Sequence, residues 1–135
     1  MADTPPETTA LHNKRLLIVE DEVFLRELYV QVFKEAGYQV DEAADGEEAE
    51  NKMRAGGYDL VLLDIGLPKK DGLQVLRSLQ SDHPKKANKS VVVLTNYGEE
   101  AVISEGVSLD IRGHLMKSDH TPDQLLAEVA RFTKS

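Results

Sequence analysis

Five polar residues follow four apolar runs of the chain, at the point where each run ends. They are Glu20 and Asp21, Asp64, Thr95 and Lys117. Three of the five are carboxylates, and two unit charges about 4 Å apart repel each other by roughly 4 kcal/mol at an effective dielectric constant near 20. Such a cluster needs a cation, and oxygen ligands without a neighbouring histidine favour Mg²⁺ over zinc.

A magnesium site that faces a lysine and a hydroxyl is suited to receive a phosphoryl group. The metal and the Lys117 ammonium would neutralise the phosphoryl oxygens, and the central carboxylate, Asp64, would be phosphorylated. Each residue also has a structural interpretation, since Asp21 can cap a helix, Thr95 can close a strand and Lys117 can be a surface lysine. Because all four runs end in polar residues of this kind, we favour the functional interpretation.

The run that ends at Asp64 is the most informative of the four. Residues 60–63 are all apolar, which is typical of a strand buried on both faces of a parallel sheet. Gly66 and Pro68 then stop the strand. Since ligands of open α/β sheets bind outside the carboxyl ends of the strands, Asp64 lies where a site residue is expected.

Apolar runs and segments of helical periodicity alternate along the chain. The predicted strands cover residues 15–19, 38–43, 60–63, 91–94 and 113–116, and the predicted helices lie within 25–36, 45–55, 71–79, 98–106 and 121–132. Asp45, Asp71 and Thr121 are predicted N-caps, each followed three residues later by Glu or Gln, and Gly37 is a predicted helix end. This alternation predicts a doubly wound α/β fold with a parallel sheet and helices on both faces.

Composition narrows the class of protein. The 135 residues suffice for one domain, which we expect over residues 14–135 after a tail at 1–13 without apolar periodicity. The net charge of -8 argues against a dedicated nucleic-acid binder, and the lack of cysteine excludes disulfides and thiolate metal ligands. With no apolar run of membrane-spanning length and no signal peptide, we expect a cytoplasmic protein that binds no membrane.

In their order and spacing, these motifs resemble the receiver domain of two-component response regulators, of the single-domain, chemotaxis-regulator-like kind. The resemblance covers roughly residues 14–132. It rests on the sequence VEDE at 19–22, LLD at 62–64 with LP at 67–68 and DG at 71–72, LT at 94–95, and GHLMK at 113–117. It implies a flavodoxin-like sheet of strand order 2-1-3-4-5 with five helices.

The resemblance also implies a metal site. Asp21, Asp64 and the backbone carbonyl of Gly66 would bind Mg²⁺ directly, and Glu20 would act largely through water. Asp64 would accept a phosphoryl group from a phosphohistidine of a sensor histidine kinase or a histidine phosphotransfer protein. The chain would then be a signalling protein whose only chemistry is its own phosphorylation and dephosphorylation, not an enzyme with a separate substrate.

Three further roles follow from the same resemblance. Lys117 would contact the Asp64 carboxylate and then the phosphoryl group, while Thr95 would move to hydrogen-bond a phosphoryl oxygen. His114 occupies the family's aromatic switch position and would turn inward on activation. The switch would remodel a surface on the fourth helix and fifth strand, where a downstream protein or a second, phosphorylated copy of the chain would bind.

The chain departs from the commonest family pattern at three positions. Ser118 follows the lysine where a cis proline is usual, which leaves the geometry of this loop open. Asn96 follows Thr95 where a small residue is usual, and it is a candidate gate to the phosphorylation site. His114 replaces the more frequent Tyr or Phe. No output domain is expected after the fifth helix.

Two other classes of protein were weighed. A Mg²⁺-dependent aspartyl phosphatase of the haloacid dehalogenase type carries a second aspartate two residues after its nucleophile, but here that position is Gly66. A pseudo-receiver that binds partners without being phosphorylated is the main alternative. The intact acidic pair and the presence of Asp64, Thr95 and Lys117 argue against it. The sequence identifies neither the cognate kinase nor the downstream partner.

Overall fold

The computed structural model describes residues 14–96 and 111–133. Its strands are β1 Arg15–Val19, β2 Gln39–Ala43, β3 Leu60–Asp64, β4 Val91–Thr95 and β5 Gly113–Met116, which form one sheet in the order β2-β1-β3-β4-β5. All neighbouring strands are parallel. The predicted fold class and strand order are therefore confirmed.

The described residues contain four α-helices: α1 Val23–Glu35, α2 Gly46–Ala55, α3 Gly72–Ser81 and α4 Pro122–Thr133. A short 3-10 helix, Lys117–Asp119, joins β5 to α4. The tail expected at 1–13 and the helix expected at 98–106 lie outside the described residues. Within the described part, every helix is too short or too polar to cross a membrane.

The central strands are buried on both faces because successive side chains of a strand point to opposite sides of the sheet. In β3, Val61 and Leu63 pack with α2 and α3 on one face, while Leu60 and Leu62 pack with α1 and α4 on the other. All five residues of β3 are buried. This double burial explains the unbroken apolar run, and it brings Asp64 to the carboxyl edge of the sheet.

The predicted helix starts are largely confirmed. Asp71 and Gln74 form a reciprocal capping box at α3, and Thr121 and Gln124 exchange the same pair of bonds at α4. At α2 the Asp45 side chain accepts a bond from the backbone N–H of Glu48, but the Glu48 carboxylate accepts from Ala44 instead of Asp45. Thus the sequence predicted all three caps, and it missed only the donor of one reciprocal bond.

The structural interpretation of Asp21, as the residue that caps α1, is wrong. The N-cap residue is Glu22, and no side chain makes a capping hydrogen bond there. Asp21 therefore does not cap α1. The end of the helix follows the prediction, because Gly37 adopts φ 104° directly after the C-cap residue Ala36, a conformation that favours glycine.

Candidate phosphoryl-acceptor and metal site

Glu20 and Asp64 are neighbours because β1 and β3 pair directly, with Val19 opposite Leu63. Both carboxylates are almost fully buried, with 1% of each residue exposed. Asp21, the next residue along the chain, is exposed. Each of the three residues offers a carboxylate oxygen, and these oxygens lie within 4.8 Å of one another. The sequence prediction that these residues converge at one edge agrees with this geometry.

The Lys117 ammonium lies between the two buried carboxylates. Its Nζ is 2.7 Å from Asp64 Oδ2, to which it donates a hydrogen bond, and 2.6 Å from Glu20 Oε1. The second contact is an ion pair, and this ammonium compensates the buried Glu20 Oε1, which makes no other hydrogen bond. One positive charge thus faces three negative ones in a partly buried cluster.

The charges in this cluster perturb one another. Burial raises the pKa of the Glu20 carboxyl, the Lys117 ammonium opposes that shift, and the Asp64 carboxylate adds to it. Burial alone would lower the pKa of Lys117, but the Asp64 and Glu20 carboxylates outweigh it and raise that pKa. Burial also raises the pKa of Tyr29 to about 12, helped by the Glu20 charge. Lys117 is therefore a fixed cation at neutral pH.

The donor set fits a hard cation. Three carboxylates share a single ammonium, that of Lys117, so the cluster has oxygen ligands and negative charge left for a cation. The three residues line one open cleft of about 580 Å³ together with Gly66, whose backbone N–H donates to Asp64 Oδ1 at 3.0 Å. Oxygen ligands in an open site with room for water are the set that Mg²⁺ prefers.

Thr95 and Asn96 flank the acid cluster from β4. The Thr95 side chain is buried, and its hydroxyl makes a long contact of 3.4 Å to the carbonyl oxygen of Leu115. Asn96 is exposed and lines the same cleft as Asp64 and Lys117. Asn96 therefore lies on the same cleft as the acceptor carboxylate, Thr95 is the residue after the β4 partner of Asp64, and the roles expected of both remain predictions.

His114 and Ser118 lie on either side of Lys117 in the chain. His114 is exposed on β5 and does not line the cleft. Ser118 lines the cleft and lies in the 3-10 helix directly after β5, with all described peptide bonds trans. The departure from the usual cis proline therefore leaves Lys117 in contact with both buried carboxylates.

Sequence reasoning missed one residue that touches this site. Arg26, in the second turn of α1, donates from Nη1 to the backbone carbonyl oxygen of Glu20 at 2.9 Å, and from Nε to Glu42 Oε1 at 2.9 Å. The sequence does place Arg26 one helical turn after Glu22, which could have pointed to a contact with the end of β1. Helical spacing alone, however, does not show which face of α1 meets that end.

Comparisons with known proteins agree with this geometry. A family model described as the response regulator receiver domain matches residues 16–130. Sporulation initiation phosphotransferase F of Bacillus subtilis is 35% identical over 105 residues, which cover 78% of this chain and 82% of that protein. The gliding motility regulatory protein of Myxococcus xanthus is 31% identical over 133 residues, or 98% of this chain, yet the match spans only 17% of that protein's length.

Solved structures show the same likeness. The REC domain of AraT, a response regulator from Geobacillus stearothermophilus, superposes with a TM-score of 0.73 at 28% identity. The match covers 89% of this chain and 92% of that chain. Both the fold and the sequence motifs are thus shared with proteins of one family.

Proposed function

The chain belongs to the response regulator receiver domain family, and from that premise we propose that Asp64 accepts a phosphoryl group from a phosphohistidine in a two-component or phosphorelay system. The observation that carries the proposal is the position of Lys117 between the buried carboxylates of Asp64 and Glu20. A lysine held there serves the incoming phosphoryl oxygens as well as the carboxylates. The chain is then a phospho-accepting signalling protein, not an enzyme that turns over a separate substrate.

The transfer is a single displacement at phosphorus. One Asp64 oxygen attacks the phosphorus of the phosphohistidine, the P–O bond forms as the N–P bond breaks, and the imidazole, which already carries a proton on its other ring nitrogen, leaves as the neutral base. When bound by Glu20, Asp21, Asp64 and Gly66, Mg²⁺ supplies positive charge that neutralises the phosphoryl oxygens. Asp64 needs no general base, since its carboxylate is already the nucleophile.

Lys117 and Thr95 respond to the new group. The Lys117 ammonium already contacts Asp64 Oδ2, so it can keep a contact to the modified side chain and add one to a phosphoryl oxygen. The Thr95 hydroxyl holds only a weak contact of 3.4 Å, which costs little to exchange for a bond to a phosphoryl oxygen. This exchange supports Thr95 as the residue that starts the conformational switch, followed by His114.

The donor is a protein whose surface covers the cleft. Leu25 lines the cleft, and the neighbouring α1 side chains of Val23, Phe24 and Leu28 are exposed. A histidine side chain is short, so the donor's backbone must approach this rim closely. Exposed apolar side chains beside the acceptor support a histidine kinase or a histidine phosphotransfer protein as the donor.

Intact-mass measurement after incubation with acetyl phosphate and Mg²⁺ tests the proposal. The wild type should gain one phosphoryl group, and Asp64→Asn should gain none. The matched variant Asp123→Asn removes an exposed aspartate of α4 and should label like the wild type. Asp64→Asn should keep its fold, because Lys117 retains Glu20 as a partner. Labelling of Asp64→Asn at the wild-type rate would refute Asp64 as the acceptor, and no labelling of the wild type would favour a pseudo-receiver.

A further inference from the structure

We propose that Arg26 is a positioning residue for the metal site, one that sets the orientation of Glu20 and Asp21 without touching the metal. The inference rests on the proposed function, since it concerns the affinity of the same acid cluster for Mg²⁺. It is carried by the two hydrogen bonds of the guanidinium and by the missing side-chain cap at the start of α1.

The turn between β1 and α1 must hold two carboxylates in place. At the start of many helices, the side chain of the N-cap residue fixes such a turn by accepting a hydrogen bond from a backbone N–H. Here Glu22 makes no capping bond with its side chain. The Glu22 backbone N–H donates instead to Glu20 Oε2 at 3.1 Å, so one metal-site carboxylate is itself part of the turn. The turn therefore needs another anchor.

Arg26 supplies that anchor from the second turn of the helix. Its Nη1 donates to the carbonyl oxygen of Glu20, which belongs to the peptide bond that links Glu20 to Asp21. A peptide unit is planar and includes the Cα atoms of both residues, so a hydrogen bond to this oxygen restrains the unit that joins the two side chains. The orientation of the two acidic residues is thus coupled to one guanidinium.

The guanidinium and the residue that it contacts are both tied to the end of β2. Its Nε donates to Glu42 on β2, and the Glu20 backbone N–H donates to the carbonyl oxygen of Ala43, the next residue of that strand, at 3.1 Å. Only 15% of the Arg26 side chain is exposed. A planar fork that reaches two acceptors at fixed angles is a property of arginine, which a lysine ammonium does not reproduce.

The positive charge of Arg26 and its hydrogen bonds predict opposite effects on the affinity for Mg²⁺. A cation close to a metal site repels Mg²⁺, so an arginine that acted only through its charge would weaken binding, and its removal would tighten it. An arginine that positions the carboxylates strengthens binding, and its removal weakens it. The sign of the change on substitution therefore separates the two roles.

The test is a Mg²⁺ titration of the folded protein, followed by amide shifts in two-dimensional ¹⁵N–¹H NMR spectra. Arg26→Met should weaken Mg²⁺ binding about tenfold, the scale typical of residues that orient metal ligands. Arg26→Lys keeps the charge but loses the fork, and it should also weaken binding. Lys34→Met removes an exposed charge from the last turn of the same helix and should stay within about twofold of the wild type.

The outcomes separate this inference from the proposed function. Unchanged or tighter Mg²⁺ binding by Arg26→Met would overturn the positioning role while leaving the metal site intact. A wild type that does not bind Mg²⁺ would overturn the metal site itself. If Arg26→Met does not fold, Arg26→Lys, which keeps the positive charge, decides the matter: weaker Mg²⁺ binding by that variant would support the positioning role, whereas unchanged binding would overturn it.

Discussion

At the scale of single residues, access to Asp64 depends on what flanks the cleft. Asn96 is exposed and lines the cleft that Gly66 lines as well. Gly66 has no side chain to obstruct a donor, whereas the Asn96 amide can crowd the approach or hydrogen-bond the oxygens of an arriving group. We therefore expect Asn96 to limit access to Asp64.

Asn96→Ala should speed both phosphorylation by acetyl phosphate and loss of the phosphoryl group to water. The physical reason is the same for both reactions, because the donor reaches the Asp64 carboxylate, and water later reaches the phosphorus, through the same cleft. The two rates are measured by intact mass over time in each protein. If both stay within about twofold of the wild type, a barrier difference of roughly 0.4 kcal/mol, Asn96 is not a gate.

The residues of the acid cluster could be predicted from the sequence because parallel strands end at one edge of the sheet. Asp64, Glu20 and Lys117 each follow an apolar run, and that is sufficient to bring them together. Arg26 could not be found in this way. Its contact with the Glu20 carbonyl depends on the rotation of α1 about its own axis, which helical periodicity leaves undetermined within one turn.

At the scale of elements, the loop between β3 and α3 is tied to the N-terminal half of α2. Lys69, which adopts φ 67°, has its ammonium 3.4 Å from the Asp45 carboxylate. Lys70 pairs with Glu50 and donates to Ser78 Oγ at 3.1 Å. These ion pairs hold the loop that carries Gly66, in addition to the close packing of backbone on backbone.

That packing explains the glycine at the start of α2. A Cβ atom on Gly46 would lie 1.7 Å from the carbonyl oxygen of Lys70, a distance at which the loop must move. The backbone N–H of Gly46 also approaches the Pro68 carbonyl oxygen at 3.4 Å. Only a residue without a side chain allows the helix and the loop to meet in this way.

Glu50→Gln should lower the free energy of unfolding by about 1–2 kcal/mol at pH 7, between the values typical of exposed and buried pairs. Burial would raise the pKa of Glu50, but Lys70 and Arg54 outweigh it and lower that pKa below its usual 4.5. A lowered folded-state pKa means that the contribution is complete above pH 4.5 and is lost as the pH falls through the folded-state value.

Urea unfolding of the two proteins at several pH values measures this contribution. The difference between wild type and Glu50→Gln should shrink as the pH falls below about 4.5, where the unfolded-state carboxyl takes up a proton, and disappear below the lowered folded-state pKa, where the wild-type carboxyl is neutral like the amide. Glu47→Gln, an exposed position of the same helix, is the matched control and should show a small difference at every pH. A difference for Glu50→Gln that is equal at pH 7 and pH 3 would contradict an ion-pair contribution.

The elements themselves were predictable where local chemistry decides them. The capping boxes of Asp71 and Thr121 need only residues three positions apart, so the sequence alone reveals them. The start of α1 was harder to predict, because Glu20, Asp21 and Glu22 are all acidic and the choice among them depends on long-range bonds. Arg26 and the end of β2 fix that turn, and neither contact is visible in a local pattern.

At the scale of the whole molecule, stability is linked to the charge balance at one edge of the sheet. The chain carries a net charge of -8, and three of its carboxylates meet at the carboxyl ends of β1 and β3 with one lysine between them. An unfolded chain does not assemble this cluster. A cation that binds the cluster therefore binds only the folded state and must stabilise it.

Mg²⁺ should raise the melting temperature of the wild type. At ten times its dissociation constant, a ligand that binds only the folded state stabilises it by about 1.4 kcal/mol, which corresponds to a shift of a few degrees for a domain of this size. Because salt also screens the self-repulsion of an acidic protein, each Mg²⁺ sample is compared with sodium chloride of equal ionic strength. Asp21→Asn, which removes a proposed ligand, should lose most of the shift, and Glu47→Gln, with the same change in charge outside the cluster and its cleft, should keep it. Equal shifts in Mg²⁺ and in matched sodium chloride would mean that screening alone acts, and that the acid cluster does not bind the metal.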